Sequence, residues 1–93
     1  MRIGKVIGNI WATRKEEKLS GLKLLIIQPV NIVTKELDGA PLVSADIIGA
    51  GIGETVIFVS GSSARGAVGD VQTPVDATVV GIVDDLEIDS ALI

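Results

Sequence analysis

The chain has 93 residues, 47% of them hydrophobic, which suits one small domain and is too apolar for a disordered chain. It contains no Cys and no His, which excludes disulfides, thiolate nucleophiles, Cys/His zinc sites and His-based catalytic triads. Its net charge of −4 and two aromatic residues argue against nucleic-acid binding, and no apolar run approaches the roughly 20 residues of a membrane span.

Residues 3–10 are predicted as the first strand because aliphatic, β-branched residues dominate them. Gly4 and Gly8 should share one face of this strand, which indicates a bend or a close approach of another backbone. The next segment, residues 13–20, carries a run of charges of mixed sign and is predicted as a solvated loop.

Residues 22–29 are predicted as the second strand, which ends at Pro29. Asp38 and Gly39 form a dipeptide that is typical of a hairpin turn. The third strand is expected to follow over residues 42–48.

A glycine-rich segment, residues 49–53, precedes the predicted fourth strand at residues 54–60. A dinucleotide-binding fingerprint would have a third glycine where Glu54 stands, and a helix would follow it. We therefore interpret residues 49–53 as a tight turn.

Residues 61–69 are predicted as a loop or short helix of small residues. Ser62 or Ser63 could cap such a helix, and backbone N–H groups with Arg65 could hold an anion. A flexible connection with a capped turn explains the same residues equally well.

Residues 73–76 have a helix-start pattern with room for only one turn before the fifth strand, predicted at residues 78–83. The remaining residues, 84–93, are predicted as an acidic tail with spaced apolar residues that could add a sixth short strand. Its carboxylates lack the spacing of a dedicated calcium loop, so we expect no metal site there.

These elements predict an all-β protein: a small five-stranded, OB-like barrel, closed or nearly closed and antiparallel, with one or two short helical turns. Residues 24–27 and 56–59 are apolar on both faces of their strands, and no helix is predicted to cover the outer face. Another chain should therefore cover it, which favours an obligate homo-oligomer over a monomer with scattered surface aliphatics.

The sequence contains no catalytic constellation, so we expect neither an enzyme nor a bound cofactor. Two other functions stay open at this point. One is an OB-like binding module for nucleic acid or a small ligand, and the other is an accessory subunit of an enzyme.

Several short motifs in order resemble the EutN/CcmL family of bacterial microcompartment vertex proteins. The resemblance covers about residues 3–85. Its motifs are Ala12–Lys15, Leu22–Leu25 leading to Pro29, Gly49–Glu54, Ser60–Arg65 and Pro74–Ala77 leading to Asp84.

The resemblance implies a homo-pentamer that caps the vertices of a polyhedral shell in the bacterial cytoplasm, with hexameric shell proteins as partners. The chain length predicts a single domain over residues 1–93, with a barrel to about residue 85 and an acidic extension over residues 86–93. A catabolic microcompartment is favoured over a carboxysome.

The resemblance also implies two sets of contact residues. The first set would lie toward the five-fold axis and would set the size and polarity of a pore: Gly61, Ser62, Ser63, Ala64 and Arg65. The second set would contact neighbouring subunits or shell hexamers: Arg14, Lys15 and Lys18.

Overall fold

The computed structural model describes residues 1–12 and 16–93. Five strands form the fold: β1 (Arg2–Ile10), β2 (Lys23–Pro29), β3 (Leu42–Asp46), β4 (Thr55–Ser60) and β5 (Ala77–Ile82). One helix, α1 (Ser62–Ala67), and two 3-10 turns, Glu17–Leu19 and Ser90–Leu92, complete the described elements. Within residues 1–12 and 16–93, no helix is long and apolar enough to cross a membrane.

The strands close into a barrel in the order β1-β2-β3-β5-β4. The prediction of an all-β, five-stranded barrel with short helical turns is therefore confirmed. The prediction that the barrel is antiparallel throughout is wrong at one pair, because β3 and β5 run parallel. After β4, the chain passes through α1 and a loop and enters β5 beside β4 in the antiparallel sense, which leaves β5 parallel to β3.

Inward-facing aliphatic side chains and the Phe58 ring fill the barrel. The core cluster consists of Val6, Leu25, Ile27, Ala50, Val56, Phe58, Ala77 and Val79. A second cluster lies on the outer side of the barrel, where α1 packs against β4 and β5, and it contains Ala45, Ala64 and Val75 with Leu19, Leu22, Val59 and Val68 around them. The hydroxyl of Thr78 donates to the carbonyl of Ala64 at 2.9 Å, which fixes α1 on β5.

The two glycines of β1 have different surroundings. A Cβ on Gly4 would collide with the Ile27 side chain and would lie 3.0 Å from the Gln28 carbonyl oxygen of β2, so the predicted close approach of another backbone is confirmed. The prediction that Gly8 shares its face is wrong. The pairing of β1 with β2 shifts between Val6 and Gly8, and this bulge turns Gly8 outward beside Ile26.

Three further predictions are wrong. In each case the backbone hydrogen bonds of the segment differ from those that its local sequence pattern predicts. Asp38 and Gly39 do not join a two-residue hairpin, since residues 30–41 form a long loop closed by a Val30–Leu37 bridge. Residues 73–76 form a non-helical turn in which Val75 N–H donates to Thr73 O. Among the described residues the tail forms no sixth strand, and its last ordered element is the turn Ser90–Leu92.

The prediction of a single domain, with a barrel to about residue 85 and an extension over residues 86–93, stays a prediction. The last strand ends at Ile82.

Candidate assembly surfaces

The small-residue segment after β4 forms the start of α1. Gly61 is the N-cap residue, with a φ of 64° that favours glycine, and no side chain caps the helix. Ser62 and Ser63 lie inside the first turn instead of capping it, so that prediction is wrong. Both serines are exposed on this subunit, whereas Ala64 is fully buried.

Arg65 faces the loop that leads into β5. The Arg65 guanidinium donates to the carbonyl of Val75 at 3.5 Å, and Arg65 is half-buried. Arg65 therefore joins α1 to the entry of β5. The loop that the sequence analysis singled out thus presents two small hydroxyl side chains on a helix that packs against the barrel.

The charged loop is described in part. Arg14 and Lys15 lie outside the described residues. Lys18 is exposed, with its Nζ 3.8 Å from a carboxylate oxygen of Asp70. An exposed pair of this kind contributes less than about 1 kcal/mol, so Lys18 can change partners at little cost.

Asp46 is a structural residue that the sequence analysis missed. Its buried carboxylate accepts hydrogen bonds from the N–H groups of Ile48, Gly49 and Ala50 at 2.8–3.2 Å. Lys23 Nζ lies 4.0 Å from the same carboxylate and donates to the Ala50 carbonyl at 2.9 Å. The signal was an Asp three residues before the first glycine of the turn, where its side chain can satisfy the turn's N–H groups.

The outer face of the barrel is rich in aliphatic residues. On β2 and β3, Leu24 and Ile26 are half-buried and Val43 is 47% exposed. On β4, Ile57 points outward beside Gly81 of β5 and is also half-buried. Among residues 1–12 and 16–93, α1 is the only helix that covers the outer face, so much of this apolar face is open to a partner.

A profile described as "Ethanolamine utilisation protein EutN/carboxysome" matches residues 1–84. The chain belongs to this family. It is 48% identical over 89 residues to the bacterial microcompartment shell vertex protein GrpN of Rhodospirillum rubrum, covering 94% of this chain and 97% of that protein. It is 39% identical over 94 residues to the carboxysome shell vertex protein CcmL of Gloeobacter violaceus, covering 97% and 89%.

A solved structure titled as the GrpN pentameric microcompartment shell protein from Rhodospirillum rubrum superposes with a TM-score of 0.84 at 45% identity, covering 96% of this chain and all of that one. These relatives are named as shell vertex proteins and not as enzymes, which confirms the prediction that the chain is not an enzyme. They give no support to the alternative of a nucleic-acid-binding module.

Proposed function

We propose that this chain assembles into a homo-pentamer that closes the vertices of a bacterial microcompartment shell. The observation that carries the proposal is its near end-to-end similarity to GrpN, whose solved structure is pentameric. This function also gives the location, which is the shell of a microcompartment inside a bacterial cell.

The outer face of the barrel supports the assembly on physical grounds. A fully exposed aliphatic side chain that becomes fully buried between subunits contributes roughly 1.5–3 kcal/mol, and each half-buried side chain of this face contributes a part of that. Leu24, Ile26, Val43 and Ile57 together could therefore hold neighbouring barrels without any polar contact. The absence of His and Cys from the sequence fits a protein whose task is shape.

Within the pentamer, we place the Gly61–Arg65 segment toward the five-fold axis. Five chains that converge need small side chains, and exposed Ser62 and Ser63 provide them. Buried Ala64 and the Arg65 contact to Val75 would hold the serines in a fixed position.

Hexameric shell proteins are the proposed partners of the pentamer, with Arg14, Lys15 and Lys18 as candidate contacts. Lys18 is exposed and only weakly paired, which supports this role. Charge reversal by Arg14→Glu with Lys18→Glu should leave the pentamer intact and weaken its incorporation into shells. Unchanged incorporation would contradict these contacts.

The 42% identity to the shell vertex protein EutN of Salmonella typhimurium, against 39% to CcmL of Gloeobacter violaceus, supports a catabolic microcompartment over a carboxysome, since a solved EutN structure is titled an ethanolamine utilization protein. The enzymes encoded beside this gene would decide the pathway.

Shell closure tests the proposed function directly. The chain would be co-expressed with the hexameric shell proteins of the same microcompartment, and the particles would be imaged by electron microscopy. We expect closed polyhedra with this chain and open or elongated shells without it, because flat hexagonal sheets cannot close at a corner. Equal closure in both samples would contradict the proposal.

A further inference from the structure

The C-terminal segment after Leu86 projects from the barrel with little packing of its own. Its apolar residues Ile88, Leu92 and Ile93 are 41%, 85% and 74% exposed. The molecule measures 49 Å along its long axis and only 23 and 22 Å across. We refer to residues 87–93 as the C-terminal arm.

The arm has two chemically different sides. Glu87 and Asp89 alternate with the apolar Leu86 and Ile88. The Asp89 carboxylate accepts from Ala91 N–H at 3.0 Å, which starts the turn that presents Leu92 and Ile93. A segment with this pattern is suited to a surface that is apolar at its base and positively charged at its edge.

The barrel has a surface of that kind on the outer side of β1. A groove of about 350 Å³ has Ile3 and Ile7 among its apolar residues and Lys5 and Lys35 among its polar ones. Neither lysine forms an ion pair with another residue in the ranges 1–12 and 16–93.

The loop that forms one wall of the groove is held in place before any partner arrives. The Asn31 side chain accepts from Val33 and Thr34 N–H at 2.8 and 3.0 Å, and the backbone of Asn31 bonds to Lys35 and Glu36. This loop exposes two large apolar side chains, Ile32 at 50% and Leu37 at 76%. A fixed wall reduces the ordering cost of binding.

The chain's own tail does not fill this groove. Leu86 lines one part of it, and the residues that follow are exposed. Seven residues, partly extended and partly in a 3-10 turn, reach roughly 20 Å. That reach is close to the 22 and 23 Å that the molecule measures across its two short axes, so the arm can cross the face of an adjacent subunit.

We propose that the C-terminal arm of each subunit docks into the β1 groove of its neighbour, with Ile88 and Leu92 on the apolar surface and Glu87 beside Lys5 and Lys35. The occupant is therefore a second copy of this chain. The inference rests on the proposed ring assembly. It goes beyond that assembly by naming the C-terminal arm and the groove of the neighbouring subunit that binds it.

Cysteine cross-linking tests the docking, because the sequence has no cysteine of its own. Ile32→Cys and Leu92→Cys would be placed in two separately tagged chains, which are co-assembled and treated with a short bismaleimide. We expect cross-linked pairs that carry both tags. The control replaces Ile32→Cys with Val71→Cys, an exposed position at 67% that lies outside the groove, and should give few such pairs.

Two results would overturn the docking. One is an intact pentamer without two-tag cross-links. The other concerns a single chain that carries both Ile32→Cys and Leu92→Cys. If that chain cross-links only within itself, the arm lies on its own subunit. The mass of the same sample reports the pentamer separately, so failure of the docking and failure of the proposed function can be distinguished.

Truncation after Leu86 gives a second measurement. Loss of the arm should speed the exchange of tagged and untagged subunits by about tenfold or more. Glu17→Lys, which changes an exposed charge outside the groove, should leave the exchange rate unchanged. Equal rates for the truncated and full-length chains would count against the proposal.

Discussion

Asp46 shows how one buried carboxylate determines the path of a glycine-rich turn. The sequence analysis identified residues 49–53 as a turn, and the structure shows that the acceptor precedes it. The carboxylate accepts hydrogen bonds from backbone N–H groups that would otherwise lack partners beside the core residue Ala50. The turn is therefore held by a residue whose role depends on a hydrogen-bonding geometry that spacing alone does not reveal.

Asp46→Asn should lower the free energy of unfolding by about 2 kcal/mol, because hydrogen bonds to a charged acceptor become weaker and one amide N–H₂ faces backbone donors. Thermal unfolding at a fixed subunit concentration measures the loss. Asp84→Asn changes an exposed carboxylate and serves as the control. Equal melting temperatures for the two variants would contradict the role of Asp46.

Gly4→Ala should also destabilise the subunit, by about 1–3 kcal/mol, because the added methyl group meets Ile27 and the Gln28 carbonyl inside the barrel. Gly81→Ala is the matched control in a strand, since its methyl group would only reach ordinary contact with Ile57. Denaturant unfolding of both variants checks the difference. A Gly4→Ala protein as stable as the control would show that the barrel relaxes around the new group.

At the scale of elements, the sequence predicted the strands well because each has a continuous aliphatic run between turn residues. The parallel pairing of β3 with β5 could not be predicted, since it depends on where the chain returns after α1. The bulge near Ile7 was hidden for a similar reason: it is defined by the register against β2, which no single strand encodes. The absence of a strand in the tail has the same origin, because alternation in residues 85–89 provides a pattern but no pairing partner.

The N-terminal turn of α1 carries the element-scale prediction. Ser62→Trp should prevent or weaken pentamer formation, because five indole rings would meet where small side chains are needed. Ser20→Trp, at another exposed serine, should leave the oligomer intact. Size-exclusion chromatography with light scattering measures both. An unaffected Ser62→Trp pentamer would place α1 away from the five-fold axis.

At the scale of the whole molecule, the oligomer follows from an excess of aliphatic residues. The sequence has 47% hydrophobic residues, and the barrel interior of one subunit accommodates only part of them. Physical reasoning predicted a second chain over the outer face from strands that are apolar on both sides. The number five could not be obtained in this way, because it depends on the angle between neighbouring barrels.

Native mass spectrometry of the purified chain tests the central claim most directly. One chain has a mass of 9.6 kDa. The pentamer predicts a dominant species at about 48 kDa, which is five times the 9.6 kDa chain mass. A stable 9.6 kDa monomer, or a closed ring with another number of subunits, would contradict the assembly proposed for this protein.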